Sequence, residues 1–315
     1  MFWLKVKKNF LSKVLTRTMV STVNYKPQMI KDIFPKLDHS RYKGQNGKIG
    51  VVGGSQEYTG APYFAGMSAL RFGADLVHIF CSQSAATPIK CYSPELIVHP
   101  MESDPLKADQ VLEQWFERLH TVLIGPGLGR SEQAVRLVNS IAQKGLGGKP
   151  LIIDADGLFM VSENPLLLVG AKNVTLTPNQ VEYRRLCTAI ANLGTTKTGM
   201  DNPELMLTEF FGSEVTLVKK GQSDVIFNKH GKIEVDINGG LCRCGGQGDV
   251  LSGSIALFTH WAQEAKHENP ALFGAYAGCY VTKKLSEKVF NEMGRSMVAG
   301  DMISAIPSFL KESFY

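Results

Sequence analysis

The chain is most informative over residues 244–253, which read Cys244-Gly245-Gly246-Gln247-Gly248-Asp249-Val250-Leu251-Ser252-Gly253. Glycines in close succession let backbone N–H groups converge on an anion, and the apolar residues that follow predict a helix whose positive end lies at the same place. Asp249 falls in the first turn of that helix, where an acidic side chain is a common stabiliser. It would also lie beside a bound phosphate, where a carboxylate can accept the proton of an attacking hydroxyl. We interpret the stretch as an anion hole with an adjacent base.

The predicted helix after Asp249 contains the longest apolar run, Val250–Gln263, which is 14 residues long and includes His260. A membrane-spanning helix needs about 20 apolar residues, so this run predicts a buried helix and we expect no membrane span. The chain has 315 residues, 44% of them hydrophobic and 20% charged, with 31 glycines. That composition is typical of a folded α/β protein and excludes collagen, a coiled coil and general disorder.

Short apolar runs alternate with segments of helical periodicity through most of the chain. Several runs are apolar at consecutive positions, as in strands covered on both faces. The predicted strands are Ile49–Val52, Leu76–Cys81, Leu96–His99, Val122–Gly125, Leu151–Asp154, Val174–Leu176 and Val215–Lys219. The predicted helices are Ala61–Phe72, Leu106–Leu119, Glu132–Gln143 and Gln180–Ile190, then about 247–263, 270–291 and 299–312. This alternation predicts a mainly parallel sheet with right-handed crossovers.

The segment Asp224–Ile237 breaks the alternation. The apolar triplet Val225-Ile226-Phe227 and the alternating triplet Ile233-Glu234-Val235 flank the turn residues Asn228-Lys229-His230-Gly231, which predicts an antiparallel hairpin at one edge of the sheet. No repeat, low-complexity tract or Pro/Ser-rich linker divides the remainder. We therefore predict a leader over residues 1–27 and a single α/β domain over residues 28–315.

The N-terminal segment has a composition of its own. Residues 1–31 hold seven basic residues and no Asp or Glu, so the net charge of +5 leaves −2 for the rest of the chain. A basic, amphipathic, acid-free N-terminus predicts a mitochondrial transit peptide, with a disordered basic leader as the alternative. Translation from Met19 would give a cytoplasmic form. The slightly acidic body gives no electrostatic reason to expect nucleic acid as a partner.

Two further glycine-rich segments follow predicted strands, at the edge where open parallel sheets bind ligands. The first is 53–62, Gly-Gly-Ser-Gln-Glu-Tyr-Thr-Gly-Ala-Pro, which resembles a phosphate loop but lacks the Lys-Ser/Thr pair of a Walker A motif. The second is 125–130, Gly-Pro-Gly-Leu-Gly-Arg, in which Arg130 stands at the last position of a dinucleotide fingerprint. Taken alone, either run is more typical of a tight turn than of a ligand-binding loop.

A polar segment, Thr177-Pro178-Asn179-Gln180-Val181-Glu182, opens a predicted helix. We expect Thr177 to be the N-cap, Pro178 the first-turn proline and Gln180 the reciprocal partner of a capping box. Asn179 and Glu182 are three residues apart and share one helix face, where they could position a hydrated Mg²⁺. The sequence leaves capping and metal positioning open as alternatives.

Together these motifs resemble a known family. Asn179-x-x-Glu182 followed by Gly246-x-Gly248-Asp249 is similar to the ribokinase-like superfamily. More narrowly, the glycine loop ending at Pro62, the stretch 93–100 (Ser-Pro-Glu-Leu-Ile-Val-His-Pro), 125–130, 154–158 (Asp-Ala-Asp-Gly-Leu) and 245–253 resemble the eukaryotic ATP-dependent NAD(P)H-hydrate dehydratases. Gln247 stands where sugar kinases of the superfamily usually carry Ala. The likeness runs from about residue 28 to the C-terminus.

The resemblance implies a ribokinase-like three-layer α/β/α sandwich with a mainly parallel central sheet and an antiparallel edge hairpin. It also implies ATP-driven removal of water from hydrated NADH or NADPH, with Mg²⁺ as cofactor, ATP as co-substrate and an epimerase of the hydrate as functional partner. A helix-rich surface is compatible with a homo-oligomer. The alternatives are a vitamin-precursor kinase of the same superfamily and a dinucleotide-binding regulatory protein without catalysis.

The resemblance also assigns roles by position. The catalytic residues are Asp249 as base, with Gly246 and Gly248 in the anion hole. The predicted contacts with the hydrated dinucleotide are Gly129, Asn179, Gln180, Val181, Glu182, Tyr183, Arg184, Arg185 and Asp249. The predicted ATP contacts are Lys220, Gly221, Gln222, Ser223, Asp224, Gly239, Gly240, Leu241, Cys242, Arg243, Cys244, Gly245, Gly246, Gln247 and Gly248. The roles of Tyr58, Tyr63, Asp154 and Asp156 stay open.

Overall fold

A nine-stranded sheet forms the centre of the computed structural model, which describes residues 21–102, 104–144, 147–212 and 214–314. Its strands are β1 (Lys48–Val52), β2 (Leu76–Ser82), β3 (Ile97–Met101), β4 (Thr121–Ile124), β5 (Leu151–Ile153), β6 (Val174–Leu176), β7 (Val215–Lys219), β8 (Asp224–Asn228) and β9 (Gly231–Val235). Their order is β3-β2-β1-β4-β5-β6-β7-β8-β9. All neighbours from β3 to β7 are parallel, and β8 and β9 are antiparallel additions at one edge.

Helices cover both faces of this sheet. In chain order they are α1 (Gln28–Asp32), α2 (Gly60–Phe72), α3 (Gln83–Tyr92), α4 (Pro105–Phe116), α5 (Glu132–Lys144), α6 (Ala155–Glu163), α7 (Gln180–Leu193), α8 (Pro203–Phe211), α9 (Gln247–Glu264), α10 (Pro270–Met293) and α11 (Ala299–Phe314). Short 3₁₀ turns lie at Pro165–Leu168 and Gly294–Ser296. In the described part of the chain, no helix is long and apolar enough to cross a membrane.

The core consists of two apolar layers, one on each face of the sheet. Successive strand residues point to opposite faces, so Val51 packs with the layer under α2, α9, α10 and α11, whereas Val52 packs with the layer under α4 to α8. Both residues are fully buried. Burial on both faces explains why the parallel strands are apolar at consecutive positions rather than at alternate ones.

The predicted fold class is confirmed, including the three layers and the antiparallel edge hairpin. Every predicted strand and helix is present, with bounds that differ by a few residues. The helices α1, α3, α6 and α8 were not among the predicted elements. Helix α3 contains Pro88, and α6 starts at Ala155 with a φ of +48°, so these two depart from ordinary helical sequence or geometry.

The described chain begins before the predicted domain boundary at residue 28. The Val23 N–H donates to the Lys232 carbonyl (2.8 Å), and the Lys232 N–H donates to the Ser21 carbonyl (2.9 Å), which adds a short parallel pairing at the outer edge of β9. The Tyr25 ring then packs against Phe273, with centroids 4.8 Å apart. Most of the predicted leader, residues 1–20, lies outside the described residues.

Two glycine-rich loops meet at the carboxyl ends of β1 and β4. The Gly54 N–H donates to the Pro126 carbonyl (3.0 Å). A methyl group at Gly53 would lie 2.2 Å from that carbonyl oxygen, and one at Gly125 would lie 1.8 Å from the Asp154 carbonyl oxygen. Close backbone contact between neighbouring loops therefore requires glycine at both positions. These loops lie at the carboxyl ends of the strands, where open parallel sheets bind ligands.

Candidate functional site

The first turn of α9 lies at the same edge of the sheet and begins at Gly246. Gly246 has a φ of +92° and is the N-cap, and its carbonyl accepts the Val250 N–H (3.0 Å). A helix leaves its first backbone N–H groups without intrahelical partners, here those of residues 247–249, and adds the positive end of its dipole. The structure therefore builds the anion-binding geometry that the glycine pattern predicts, with Gly246 setting the turn and Gly248 within it.

Asp249 is the acidic side chain in this first turn. Burial and, to a smaller extent, the negative charge of Asp154 raise the pKa of Asp249 to about 8, against the opposing effect of Lys220. A carboxyl group with a pKa near neutral can exchange a proton with a substrate at physiological pH, which an ordinary Asp does poorly. The environment of Asp249 therefore suits a general base.

A buried ion pair lies beneath the anion-binding turn. The Lys220 Nζ donates to Asp154 Oδ1 (2.9 Å), and their side chains are 18% and 3% exposed. Burial disfavours the charge on Lys220, but the carboxylates of Asp154 and Glu182 outweigh it, so the pKa of Lys220 is raised. The Nζ atom lies 3.7 Å from the position that a Cβ on Gly248 would take. Lys220 therefore supplies a fixed positive charge at the anion site.

The helix α7 begins two residues later than the predicted cap implies, so the expected capping by Thr177 is wrong. Asn179 is the N-cap, its Oδ1 accepts the N–H groups of Val181 (2.9 Å) and Glu182 (3.0 Å), and Glu182 Oε2 accepts the Asn179 N–H (2.7 Å). Thr177 instead bonds through its N–H to the Ile153 carbonyl (3.2 Å). The capping box thus consists of Asn179 and Glu182.

Asn179 and Glu182 have the same side-chain oxygens available for capping α7 and for positioning a metal ion. Asn179 Oδ1 is already used by two backbone N–H groups, whereas Glu182 engages one of its carboxylate oxygens, Oε2. Among the described residues, no three His, Cys, Asp or Glu side chains lie close enough to hold a metal ion. Mg²⁺ at phosphate sites keeps several waters and uses one or two carboxylates plus the phosphates. These residues therefore fit a Mg²⁺ that binds together with a phosphate ligand, and they do not form a complete metal site by themselves.

A cavity of about 630 Å³ connects three of the predicted segments. Its walls come from the start of α7, from the turn between β7 and β8, and from the segment between β9 and α9. The predicted site residues that line it are Asn179, Gln180, Lys220, Gly221, Gln222, Asp224, Gly239, Leu241, Arg243, Gln247 and Gly248. Its size and its glycine-rich, basic lining suit a nucleoside triphosphate.

The turn between β7 and β8 is held by a residue that the sequence analysis did not identify. The Lys283 Nζ on α10 donates to the carbonyls of Gly221 (3.2 Å) and Gln222 (2.6 Å), and it lies 3.6 Å from Asp224 Oδ2. The Asp224 carboxylate in turn accepts the Gly221 N–H (2.9 Å). Lys283 lies in an otherwise ordinary helical pattern, so no local signal marks it. Lys283 thus holds the predicted ATP-binding turn in place from α10, and it also lines the cavity.

One predicted substrate contact, Gly129, lies on the other side of Asp154, in the loop after β4. The Gly129 N–H and the Arg130 Nε both donate to the Asp156 carboxylate (2.9 and 3.0 Å), which assigns Asp156 to shaping this loop. The Arg130 guanidinium stacks on the Phe159 ring at 3.9 Å, and Arg185 lies 5.3 Å from the same ring.

Farther along α7, three predicted contact residues differ in exposure. Val181 and Arg184 are exposed, whereas the Tyr183 side chain is buried in the core, with its ring 5.0 Å from Lys219 Nζ.

Comparisons with known proteins agree with this geometry. Residues 49–308 match the family model described as NAD(P)H-hydrate dehydratase. The chain is 44% identical to the ATP-dependent (S)-NAD(P)H-hydrate dehydratase of Bos taurus, over 90% of this chain and 87% of that protein. A ribokinase-like superfamily protein from Enterococcus faecalis superposes with a TM-score of 0.75 at 20% identity, covering 96% of this chain and 99% of that one. The ADP/ATP-dependent NAD(P)H-hydrate dehydratase of Bacillus subtilis, co-crystallised with ATP/Mg²⁺, gives 0.67 at 20% identity, covering 93% and 99%.

Proposed function

Because this chain belongs to the NAD(P)H-hydrate dehydratase family, we propose that it catalyses the ATP-dependent dehydration of hydrated NADH and NADPH, releasing ADP and phosphate. The observation that carries the proposal is the juxtaposition at the start of α9. A buried Asp249 with a raised pKa, a helix N-terminus and the Lys220–Asp154 pair adjoin a cavity suited to a nucleoside triphosphate. Those groups serve phosphoryl transfer to a hydroxyl.

The first step phosphorylates the hydroxyl that hydration has placed on the nicotinamide ring. Asp249 accepts the proton of this hydroxyl as its oxygen attacks the γ-phosphorus of ATP, the bond to the bridging oxygen breaks, and ADP leaves. The free N–H groups of residues 247–249 and the Lys220 ammonium stabilise the charge on the transferred phosphoryl group. Hydroxide is a poor leaving group, and this step replaces it with phosphate.

The second step expels that phosphate. The lone pair on the ring nitrogen displaces the phosphate as the ring C–O bond breaks, and loss of a proton from the adjacent ring carbon to solvent restores the reduced nicotinamide. The sum is hydrated NADH plus ATP giving NADH, ADP, phosphate and a proton. The phosphoryl group of a kinase product would stay on the substrate, so phosphate release distinguishes the two reactions.

We include Mg²⁺ in the proposal as the partner of the ATP phosphates. When bound, it would neutralise phosphate charge during transfer. Glu182 would help to hold it, and Asn179 would fix the position of Glu182 through the capping box. Burial raises the pKa of Glu182, while the nearby Lys220 opposes this effect and keeps the carboxylate available.

The test uses purified full-length protein with Mg·ATP and hydrated NADH. We expect recovery of the near-ultraviolet absorbance of reduced nicotinamide, matched mole for mole by ADP and phosphate. ATP consumption with an accumulating phosphorylated alcohol, and no recovered NADH, would instead assign a small-molecule kinase. Tight nucleotide binding without any ATP consumption would assign a regulatory protein.

We further propose mitochondrial import, with any cleavage of the leader falling before Ser21. The support is the basic, acid-free composition of residues 1–31 and the hydrogen bonds that tie Ser21 and Val23 to Lys232 on β9. Mass spectrometry of the N-terminus of protein recovered from mitochondria tests this. A mature chain that starts after Val23 would contradict the proposal, since it would lack the described edge pairing.

A further inference from the structure

A second cavity, of about 210 Å³, lies at the carboxyl ends of the strands on the side away from the ATP cavity. Gly54, Ser82, Met101 and Leu128 line it from the ends of β1, β2 and β3 and from the loop after β4. Its remaining walls come from Ala108 on α4 and from α5. None of these residues has a role in the phosphoryl-transfer step.

The lining of this cavity suits a flat heteroaromatic ring. Met101, Ala108, Leu128, Ala134 and Leu137 give it apolar walls and are all buried. A methionine sulfur and aliphatic side chains pack well against aromatic faces. Its volume is below the roughly 300–1,000 Å³ of sites that enclose a whole drug-sized ligand. The cavity therefore fits one ring system of a larger molecule.

Polar atoms at the rim can meet the edge of such a ring. Gln133 donates its Nε2 to the Glu102 carbonyl (2.8 Å), which leaves its amide oxygen as an acceptor for an exocyclic amine. The Ser131 Oγ accepts the Ala134 N–H (3.2 Å), so its hydroxyl hydrogen can be donated to a ring nitrogen. A few placed polar groups around apolar walls are typical of a base-binding pocket.

The position of the cavity matches the reach of a dinucleotide. The reacting carboxylate, Asp249, follows Gly248 in the turn beside Lys220, which is paired with Asp154 at the end of β5, whereas the second cavity is lined from the ends of β1 and β2. These ends are two to three strands apart in the sheet order, or roughly 10–14 Å at the spacing of parallel strands. Dinucleotides bound at this edge of an open sheet extend across neighbouring strands in this way.

Arginine side chains lie on the side of Asp154 that faces the second cavity, where the diphosphate of a dinucleotide reaching from Asp249 would pass. Arg130 immediately precedes Ser131, and its guanidinium is half exposed, with one ion pair at Nε to Asp156 (3.0 Å). A guanidinium has five N–H donors, so further donors remain for the oxygens of a diphosphate. Arg136 lies at the mouth of the cavity, where its 3.4 Å contact with the exposed Glu132 is loose.

From this arrangement we infer that the second cavity binds the adenine ring of the hydrated dinucleotide, with the diphosphate passing Arg130. The inference rests on the proposed function and adds to it a recognition site for the non-reacting half of the substrate. ATP is the other adenine-containing ligand, but nine of its fifteen predicted contacts line the 630 Å³ cavity toward β7, β8 and α10, and none of them lines the second cavity. The two cavities thus lie on opposite sides of Asp154.

The experiment compares kcat/KM for hydrated NADH with that for hydrated reduced nicotinamide mononucleotide, which lacks the adenosine half. Ala134→Leu fills the cavity from α5, and Ala108→Leu fills it from α4, so that failure of either variant to fold leaves the other. Val135→Leu, on the neighbouring residue that is 38% exposed and outside the cavity, is the matched control. The KM for ATP is measured for every variant.

We expect wild-type protein and Val135→Leu to prefer hydrated NADH over the mononucleotide by about tenfold or more, since the non-reacting half adds binding energy. Either filling variant should lose most of that preference through a higher KM for hydrated NADH, with unchanged rates on the mononucleotide and an unchanged KM for ATP.

Equal wild-type kcat/KM for the two substrates would overturn the adenine assignment and leave the proposed function intact. The assignment is also wrong if both filled variants fold and keep the preference, or if they raise the KM for ATP instead. Absence of dehydration of either substrate by wild-type protein would refute the proposed function, and the inference with it.

Discussion

Alanine substitutions at Gly245, Gly246 and Gly248 should separate the structural and catalytic roles of the turn before α9. Gly246 has a φ of +92°, and a Cβ there would lie 2.7 Å from the Ala299 Cβ and 2.8 Å from Phe64 Cδ2. The left-handed conformation costs a residue with a Cβ about 1–2 kcal/mol, and overpacking adds about 1–3 kcal/mol. Gly246→Ala should therefore lower the free energy of unfolding by roughly 2–5 kcal/mol.

Gly248→Ala should behave differently. The nearest atom to a Cβ at Gly248 is Lys220 Nζ at 3.7 Å, an ordinary contact, so the variant should fold with unchanged stability. Its methyl group would point into the space between Lys220 and the helix N-terminus, where the phosphoryl group is expected. Loss of one such anion-stabilising interaction typically lowers kcat by about 10²–10³-fold. A Cβ at Gly245 would meet nothing within 4 Å, so Gly245→Ala serves as the control for stability.

Two measurements decide the series: chemical unfolding, and kcat for dehydration of hydrated NADH under saturating Mg·ATP. Gly246→Ala should also melt roughly 5–10 °C below Gly245→Ala. Equal stability of these two variants would refute the tight packing of Gly246 against Phe64 and Ala299. A Gly248→Ala protein with wild-type kcat would refute the anion hole, whatever its stability.

Three further predictions concern the charged and capping side chains. Asp249→Asn should abolish turnover and raise the free energy of unfolding at pH 7 by about 1–3 kcal/mol. The pKa of Asp249 in the folded protein is raised to about 8, so this carboxyl destabilises the fold increasingly as pH rises above its pKa in the unfolded chain. Urea unfolding at pH 5 and pH 7 checks this, and a stability gain that does not grow with pH would contradict it. For the free enzyme, kcat/KM should rise with pH through about 8 as Asp249 loses its proton. Asp154→Asn should move this rise to lower pH, because it removes a charge that raises the pKa of Asp249. A rise at an unchanged pH would exclude Asp249 as the titrating base. Asn179→Ala and Asn202→Ala each remove a helix cap and should each cost about 1 kcal/mol in denaturant unfolding, but only the former should also lower dehydratase activity. Equal activity of the two cap variants would show that Asn179 and Glu182 only stabilise α7.

Much of the fold was predictable because its strongest signals are local. Strands such as Val174–Leu176 and Val215–Lys219 have the observed bounds and consist of Val, Leu and Thr up to the final Lys219, a run of mostly β-branched and apolar residues that is typical of strands buried on both faces. The edge hairpin was equally predictable from its turn residues, which lie between an apolar triplet and an alternating one. The helix α3 was not, because Pro88 within it is a residue that usually ends a helix.

The capping of α7 shows where local rules fail. Thr177-Pro178 is a good helix start by composition, but Thr177 donates to the Ile153 carbonyl and the Pro178 carbonyl accepts the Lys220 N–H (2.8 Å). Both residues are thus held by the strands on either side, which keeps them extended and delays the helix until Asn179. Contacts between neighbouring strands, not the propensities of the segment, decide which polar residue becomes the cap.

The same reasoning explains why Asp154 had no assignable role in the sequence. Asp154 and Lys220 are 66 residues apart, and each alone is an ordinary charged residue at the end of a strand. They meet because β5 and β7 flank β6, so a long lysine side chain can reach across the short strand between them. The pKa of Asp249 depends on both partners of this pair. The basicity proposed for Asp249 is therefore influenced by two residues outside the glycine-rich motif at 244–253 that contains it. Strand order is therefore the information that a motif search lacks. With it, the pairing of two buried opposite charges at the ends of β5 and β7, on either side of the short strand β6, would have been the expected arrangement.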